Sequence, residues 1–252
     1  MDRISGADAQ AADYEQLFQQ RGHAYDAAMR RYPRARDEEF SEAVRRAQLQ
    51  PGMRVADVPA GGGYLQSYLP ADCRWQGHEP CANFSRAGDA GVIPLLPLPW
   101  GNAAVDAVLS IAGVHHLEDK RPLFAELLRV VRPGGRLVLA DVWRDSAVAA
   151  FLDGFVGDHN STGHTGSYLD EATADELRAA GWQEPVLEHV PIHWRFAGHA
   201  ELAAFCTALF DLRGVTPQQV LDAVLAGPGI DTLADGVGLR WGLTYCTARR
   251  PS

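Results

Sequence analysis

The chain has 252 residues and a formal charge of −9. Its length suits one α/β domain, or one domain with a modest insertion. Its acidic balance excludes wholesale binding to nucleic acid or anionic lipid, because both need a cationic face.

The N-terminus, MDRISGADAQAADYEQ, is acidic and lacks the apolar core of a secretion signal. Residues 12–32 repeat apolar positions at helical spacing, with Tyr14, Leu17, Phe18, Tyr25 and Met29, until Pro33 interrupts. The densest basic stretch, RRYPRAR at Arg30–Arg36, reads as a solvated helix face. RDEEFSEAVRRAQL (Arg36–Leu49) predicts a second helix, acidic early and basic late as the helix dipole prefers. Pro51-Gly52 ends it, and MRVADV follows as a buried strand. DVPAGGGY comes next, then YLQSYL, which can start a helix.

CRWQGHEP predicts a weaker strand ending near Glu79, and GVIPLLPLPW a short, proline-broken one. AVDAVLSIAG is a clean strand. RPLFAELLRVVRPGG is a helix with Leu123, Phe124, Leu127, Leu128 and Val131 on one face, stopped at Arg132-Pro133-Gly134-Gly135. RLVLADVW is another buried strand. After Trp143 we expect a helix near Ser146–Val156, the polar loop GDHNSTGHTGSY and a helix in DEATADELRAAGW. A strand in PVLEHVPIHWRF, helices in HAELAAFCTALFDL and TPQQVLDAVLAG, and a last strand in GLRWGLTYCTARR complete the chain. Alternating strands and helices imply a doubly wound, mostly parallel sheet of about seven strands. Residues 1–50 read as a helical cap and 51–252 as the main domain, with substrate-pocket segments at 143–185 and 197–236. Cys73, Cys81, Cys206 and Cys246 have neither CxxC nor zinc spacing, and no stretch reaches membrane-spanning length. A cytoplasmic protein with reduced thiols, either monomer or homodimer, is expected.

Ordering three consecutive glycines is costly, so their place after the first strand needs a reason. In a doubly wound sheet that turn is where a ligand approaches the backbone. Glu79 lies at the end of the next strand, where a carboxylate can accept bonds from both hydroxyls of a ribose. A dinucleotide fingerprint would need a glycine at Gln66, and Asp57 would repel a pyrophosphate. An acid there suits a ligand with a cationic end, such as S-adenosylmethionine with its sulfonium and amino group. The alternatives are a nicotinamide-dependent oxidoreductase and a binding module without transfer.

Four segments in order carry a resemblance: VADVPAGGG, GHEP, LPLPWGNAAVDAVLSIAGVHHLED and LLRVVRPGGRLVLADV. From about Gly52 to Val142 the chain resembles class I S-adenosylmethionine-dependent methyltransferases of the small-molecule type. The resemblance implies a Rossmann-like fold with S-adenosyl-L-methionine as cofactor and S-adenosyl-L-homocysteine as product. It puts Asp57, Ala60, Gly61, Gly63, Glu79, Pro80, Leu98, Ser110 and His115 at the cofactor. An N-terminal helix would close over the site, bringing Tyr25 and its neighbours Tyr14, Arg21, His23 and Tyr32. Two positions depart from the family pattern. Pro59 stands where the first motif glycine belongs, so Gly61 to Gly63 must supply the close approach. Val92 stands near an expected adenine-binding acid, and Asp89 is too early to replace it.

Methyl transfer from a sulfonium asks mainly for alignment, worth roughly 7–11 kcal/mol. A general base helps where the nucleophile carries a proton. Candidates are His115 and His116 after the fourth strand, and His159, His164 and Tyr168 in the polar loop, with Asp158 and Asn160 beside them. SIAGVHH lacks the Asn-Pro-Pro-Tyr of nucleic-acid amino-methylating enzymes. Asp141 has no acidic partner at Ser110-Ile111, so no metal is expected. A small-molecule acceptor, methylated at O or N, remains; by resemblance alone, secondary metabolism is its setting.

Overall fold

The computed structural model describes residues 21–84 and 93–252. Tyr14, Leu17, Phe18, Asp89 and Val92 lie outside the described residues. Residues 21–31 form helix α1. Helix α2 (Asp37–Ala47) places Asp37, Glu38 and Glu39 in its first turn and Arg45 and Arg46 in its last, each end matched to the helix dipole. Its inner face buries Phe40, Ala43 and Ala47.

The central sheet holds β1 (Arg54–Asp57), β2 (Arg74–Gly77), β3 (Val105–Ile111), β4 (Val131–Asp141), β5 (Gln183–Val190) and β9 (Leu243–Arg249). Their order is β2-β1-β3-β4-β9-β5. The first four run parallel, and β9 runs antiparallel to both β4 and β5. Strand order reverses at β1, so a crevice opens beyond its C-terminal end. The register sets Asp57 beside Gly77 on one side and Leu109 on the other. The doubly wound, mostly parallel architecture is the expected one, with six strands among the described residues. The proline-broken segment forms no strand over 93–100, and 85–92 lie outside the described residues.

Four local expectations are corrected. YLQSYL forms only a 3-10 turn, Tyr64–Tyr68. Helix α3 (Arg121–Val130) ends before Arg132-Pro133-Gly134-Gly135, which sits inside β4 as a register shift opposite Val105 and Ala107. PVLEHVPIHWRF is two strands, β5 and β6 (His193–Phe196), and GLRWGLTYCTARR is also two, β8 (Gly236–Arg240) and β9. Both break at one place, because Pro191 has no N–H for a ladder and Trp241 N–H donates to the Ile192 carbonyl at 2.8 Å. With β7 (Ile230–Leu233), these pieces form a second antiparallel sheet, β6-β8-β7. Finally, Gly157, Asp158 and His159 are helical rather than loop. Helix α4 (Ala147–Phe151), capped by Ser146 Oγ, runs through a π-turn (Leu152–Val156) into α5 (Gly157–His159).

The remaining helices are α6 (Thr173–Ala179), α7 (His199–Leu209) and α8 (Pro217–Ala226), the last begun by a Thr216–Gln219 capping box. One face of the central sheet packs on α3 and α6 through Leu123, Phe124, Leu127 and Leu177. The other packs on α2, α4, α7 and the second sheet through Phe40, Phe151, Phe205 and Trp194.

Candidate active site

The turn after β1 is tied to both neighbouring strands. Val58 N–H donates to Leu109 O at 3.1 Å, and Ala60 N–H to His78 O at 3.0 Å. Gly61 and Gly63 take φ of 52° and 75°, the left-handed region that side chains resist. Glu79 grips the turn: Gly61 N–H donates to its Oε2 at 2.8 Å and Cys81 N–H to its Oε1 at 2.9 Å. Asp57 is buried and accepts from the Trp75 indole N–H at 3.1 Å. Burial pushes its carboxyl up to about 7, the indole bond opposes this, and Glu79 adds to it.

A cavity opens over this turn. Its lining includes Asp57, Pro59, Ala60 and Gly61 from the turn, Trp194 and Trp241 from the second sheet and its edge, and Phe210 from the end of α7. Trp194 and Trp241 stack at 3.9 Å between centroids, and Phe210 stacks on Trp241 at 5.9 Å. Arg21, Tyr25 and Arg36 line the cavity as well. Arg36 is held beneath it by Glu39, which also accepts from Trp194 Nε1 at 2.8 Å. Burial lowers Arg21 to about 10, leaving it cationic at neutral pH.

Three histidines meet at the cavity edge. His115 and His116 sit in a 3-10 turn after β3, and His164 comes from the loop after α5. One ring nitrogen of each lies within 4.8 Å of the other two. His115 Nδ1–H donates to Asp141 Oδ1 at 2.8 Å, while Val114 and His115 N–H donate to Asp141 Oδ2 at 2.9 and 3.1 Å. Burial alone would raise Asp141, yet His115 and the backbone N–H groups of Val142 and His115 outweigh it and hold the carboxyl low. Asp153, in the π-turn, does the same for the loop. Its Oδ1 accepts from His164 Nδ1–H at 3.0 Å, Gly166 N–H at 3.0 Å and Tyr168 O–H at 2.6 Å. Burial, with the other two imidazoles adding, lowers His116 well below the ordinary range. Burial lowers His164 to about 4, with His115 adding and the Asp153 bond opposing.

Of the sequence-predicted residues, Tyr25, Asp57, Ala60, Gly61, His115, His116 and His164 line the cavity. Gly63, Glu79 and Pro80 stand behind the turn. Leu98 packs in the core on the far side of the sheet, its N–H donating to Glu126 at 2.9 Å. Ser110 is buried outside the lining, its hydroxyl without a partner among the described residues. Tyr168 is outside the lining but stacks on two residues that belong to it, His115 at 5.9 Å and His164 at 6.4 Å between rings. His159 packs on Phe155, at 4.8 Å between rings. Sequence reasoning missed Arg36, Asp153, Trp194, Phe210 and Trp241. The only available signal was that indole and guanidinium groups are costly to bury without purpose.

Residues 57–139 match the family described as Methyltransferase domain. That stretch is similar to a methyltransferase domain, and the fold around it is that of class I methyltransferases. A demethylmenaquinone methyltransferase of Corynebacterium urealyticum is 34% identical over 106 residues, covering 38% of this chain and 45% of that enzyme. The chain thus spans about half the length of the curated relatives it matches. Among solved structures, a SAM-dependent methyltransferase of Thermotoga maritima superposes with TM-score 0.59 at 15% identity, covering 94% of this chain and 99% of that one. Phosphoethanolamine N-methyltransferase 2 of Haemonchus contortus, bound to S-adenosyl-L-methionine, gives TM-score 0.59 at 14% identity, covering 95% of this chain and 60% of that one. The two structures support the fold.

The family's cofactor is S-adenosylmethionine, and the turn has the chemistry to hold it. Asp57 is a buried acid whose hydrogen bond comes from a neutral indole, and a cationic amino group would restore its charge. Glu79 holds the turn from the neighbouring strand, and the left-handed glycines remove side chains from the approach. No helix among the described residues is long and apolar enough to cross a membrane.

Proposed function

We propose that the chain methylates a small planar aromatic acceptor at a hydroxyl or amino group. The observation that carries this reading is the cavity, whose lining combines the turn after β1, the stacked Trp194, Phe210 and Trp241, and the three histidines. Flat indole faces favour a flat ring, by offset stacking worth about 0.5–1.5 kcal/mol beyond burial. The acceptor's ionisable group would lie toward His116 and His164. A demethylmenaquinone methyltransferase among the relatives supports an aromatic acceptor. When bound, S-adenosylmethionine supplies an electrophilic methyl group on a cationic sulfur. The protein's part is to align the acceptor, exclude water and handle the acceptor's proton. We further place the chain in the cytoplasm, where its four free cysteines stay reduced.

Isotopically labelled methyl donor, offered with panels of phenols, anilines and aliphatic alcohols, tests this. Label should enter phenols or anilines. Transfer only to aliphatic acceptors, or cofactor binding with no transfer to any panel, would count against it.

A further inference from the structure

The histidine cluster has a feature that proton transfer alone does not need. Two imidazoles from different parts of the chain each give Nδ1–H to a carboxylate, His115 to Asp141 at 2.8 Å and His164 to Asp153 at 3.0 Å. Each bond fixes the tautomer and leaves Nε2 as the ring's basic nitrogen. His116 lies beside His115 at 4.0 Å between centroids, tilted by 45°, and its ring lies 5.6 Å from that of His164. One nitrogen of each of the three lies within 4.8 Å of the others, and carboxylates behind imidazoles are the outer shell that metal-binding histidines carry.

We propose that His115, His116 and His164 form a binding site for a divalent d-block ion, zinc before others, at the acceptor end of the cavity. This rests on the reading of that cavity as the acceptor site. Three imidazole nitrogens suit zinc, cobalt, nickel or copper, and exclude magnesium and calcium, which want oxygen. Zinc bonds of about 2.0–2.1 Å in a tetrahedron set the nitrogens about 3.3 Å apart. The present separations, within 4.8 Å, must therefore shrink. Arg21, which also faces the cavity, opposes a cation here, and Asp141 and Asp153 offset it. Three protein ligands leave one position open, as in catalytic zinc sites. An acceptor oxygen in that position sheds its proton to bulk water more readily, since a zinc-bound oxygen is far more acidic than a free one.

The test is cobalt(II) titration of the untagged, chelator-stripped chain, read by visible d–d absorption, with magnesium as a hard-ion comparison. S-adenosyl-L-homocysteine binding is measured calorimetrically on the same sample. One cobalt per chain with tetrahedral-type absorption is expected, displaced by zinc and unaffected by magnesium. His164→Ala should abolish the band. Asp153→Asn, which keeps shape, should weaken cobalt binding roughly 10- to 100-fold. No band in the wild-type chain, or an unchanged band in both variants, overturns the site. S-adenosyl-L-homocysteine binding without cobalt binding sinks only this proposal. Failure of S-adenosyl-L-homocysteine to bind sinks the methyltransferase reading instead.

Discussion

The two walls of the cavity are built in opposite ways. The cofactor wall is local: Asp57 to Gly63 form one turn, and Glu79 closes it from the adjacent strand at 2.8 Å. The rest of the lining is assembled from afar, with Arg36 near the start, His164 in mid-chain held by Asp153, Trp194 and Trp241 from the second sheet and its edge, and Phe210 from the end of α7. A local wall needs little beyond its own backbone geometry. An assembled wall depends on the whole fold to hold its pieces in place. Substitutions should therefore damage the two walls differently.

The largest effect is expected under the assembled wall. Glu39→Ala strands the buried Arg36 guanidinium and removes the acceptor for Trp194 Nε1, so it should cost about 3–5 kcal/mol in urea unfolding. Replacing both partners, Arg36→Met with Glu39→Met, should recover most of that loss, since no uncompensated charge remains.

Asp57 comes next, and its effect is set by pH. Its folded-state carboxyl is raised from 3.8 to about 7, so the folded chain keeps a proton that the unfolded chain has lost. Stability of the ligand-free protein should fall as pH rises from about 4 to about 7, by up to roughly 4 kcal/mol, and level off above that. Asp57→Asn should flatten this slope in thermal or urea melts. Cofactor binding should show the opposite trend, tightening by up to roughly tenfold per unit as pH approaches 7, because the amino group wants the ionised form. A pH-independent affinity would separate Asp57 from the cofactor.

Gly61→Val tests the local wall. A β-branched residue at φ 52° is strained, and its side chain fills the approach to the turn. Calorimetric cofactor affinity should drop roughly 100-fold, about 2.7 kcal/mol, while the rest of the fold survives. The smallest effect is Glu79→Gln, which keeps the shape and one acceptor oxygen. It should weaken the cofactor by about 1–2 kcal/mol, with little change in acceptor KM.

The same contrast explains what was legible in the sequence. The parallel sheet could be read because β1, β3 and β4 are apolar runs punctuated by glycine and proline. The cofactor turn could be read because Asp57, Gly61, Gly63 and Glu79 fall at short, motif-like spacing. The second sheet could not, because its strands are four or five residues long and join β5 and β9 through single breaks at Pro191 and Trp241-Gly242. His164 was a candidate on composition alone. Its carboxylate, Asp153, lies eleven positions earlier in a π-turn that periodicity does not reveal. Ser110 shows the converse: alternation along β3 points Ile111 to the cavity and turns Ser110 away, although both belong to the same motif.

A crystal structure with S-adenosyl-L-homocysteine tests the account most directly. It should show the amino group against Asp57, the ribose hydroxyls at Glu79 and the thioether facing the histidine cluster. S-adenosyl-L-homocysteine density elsewhere, or a nucleotide bound with its pyrophosphate against Asp57, would contradict it.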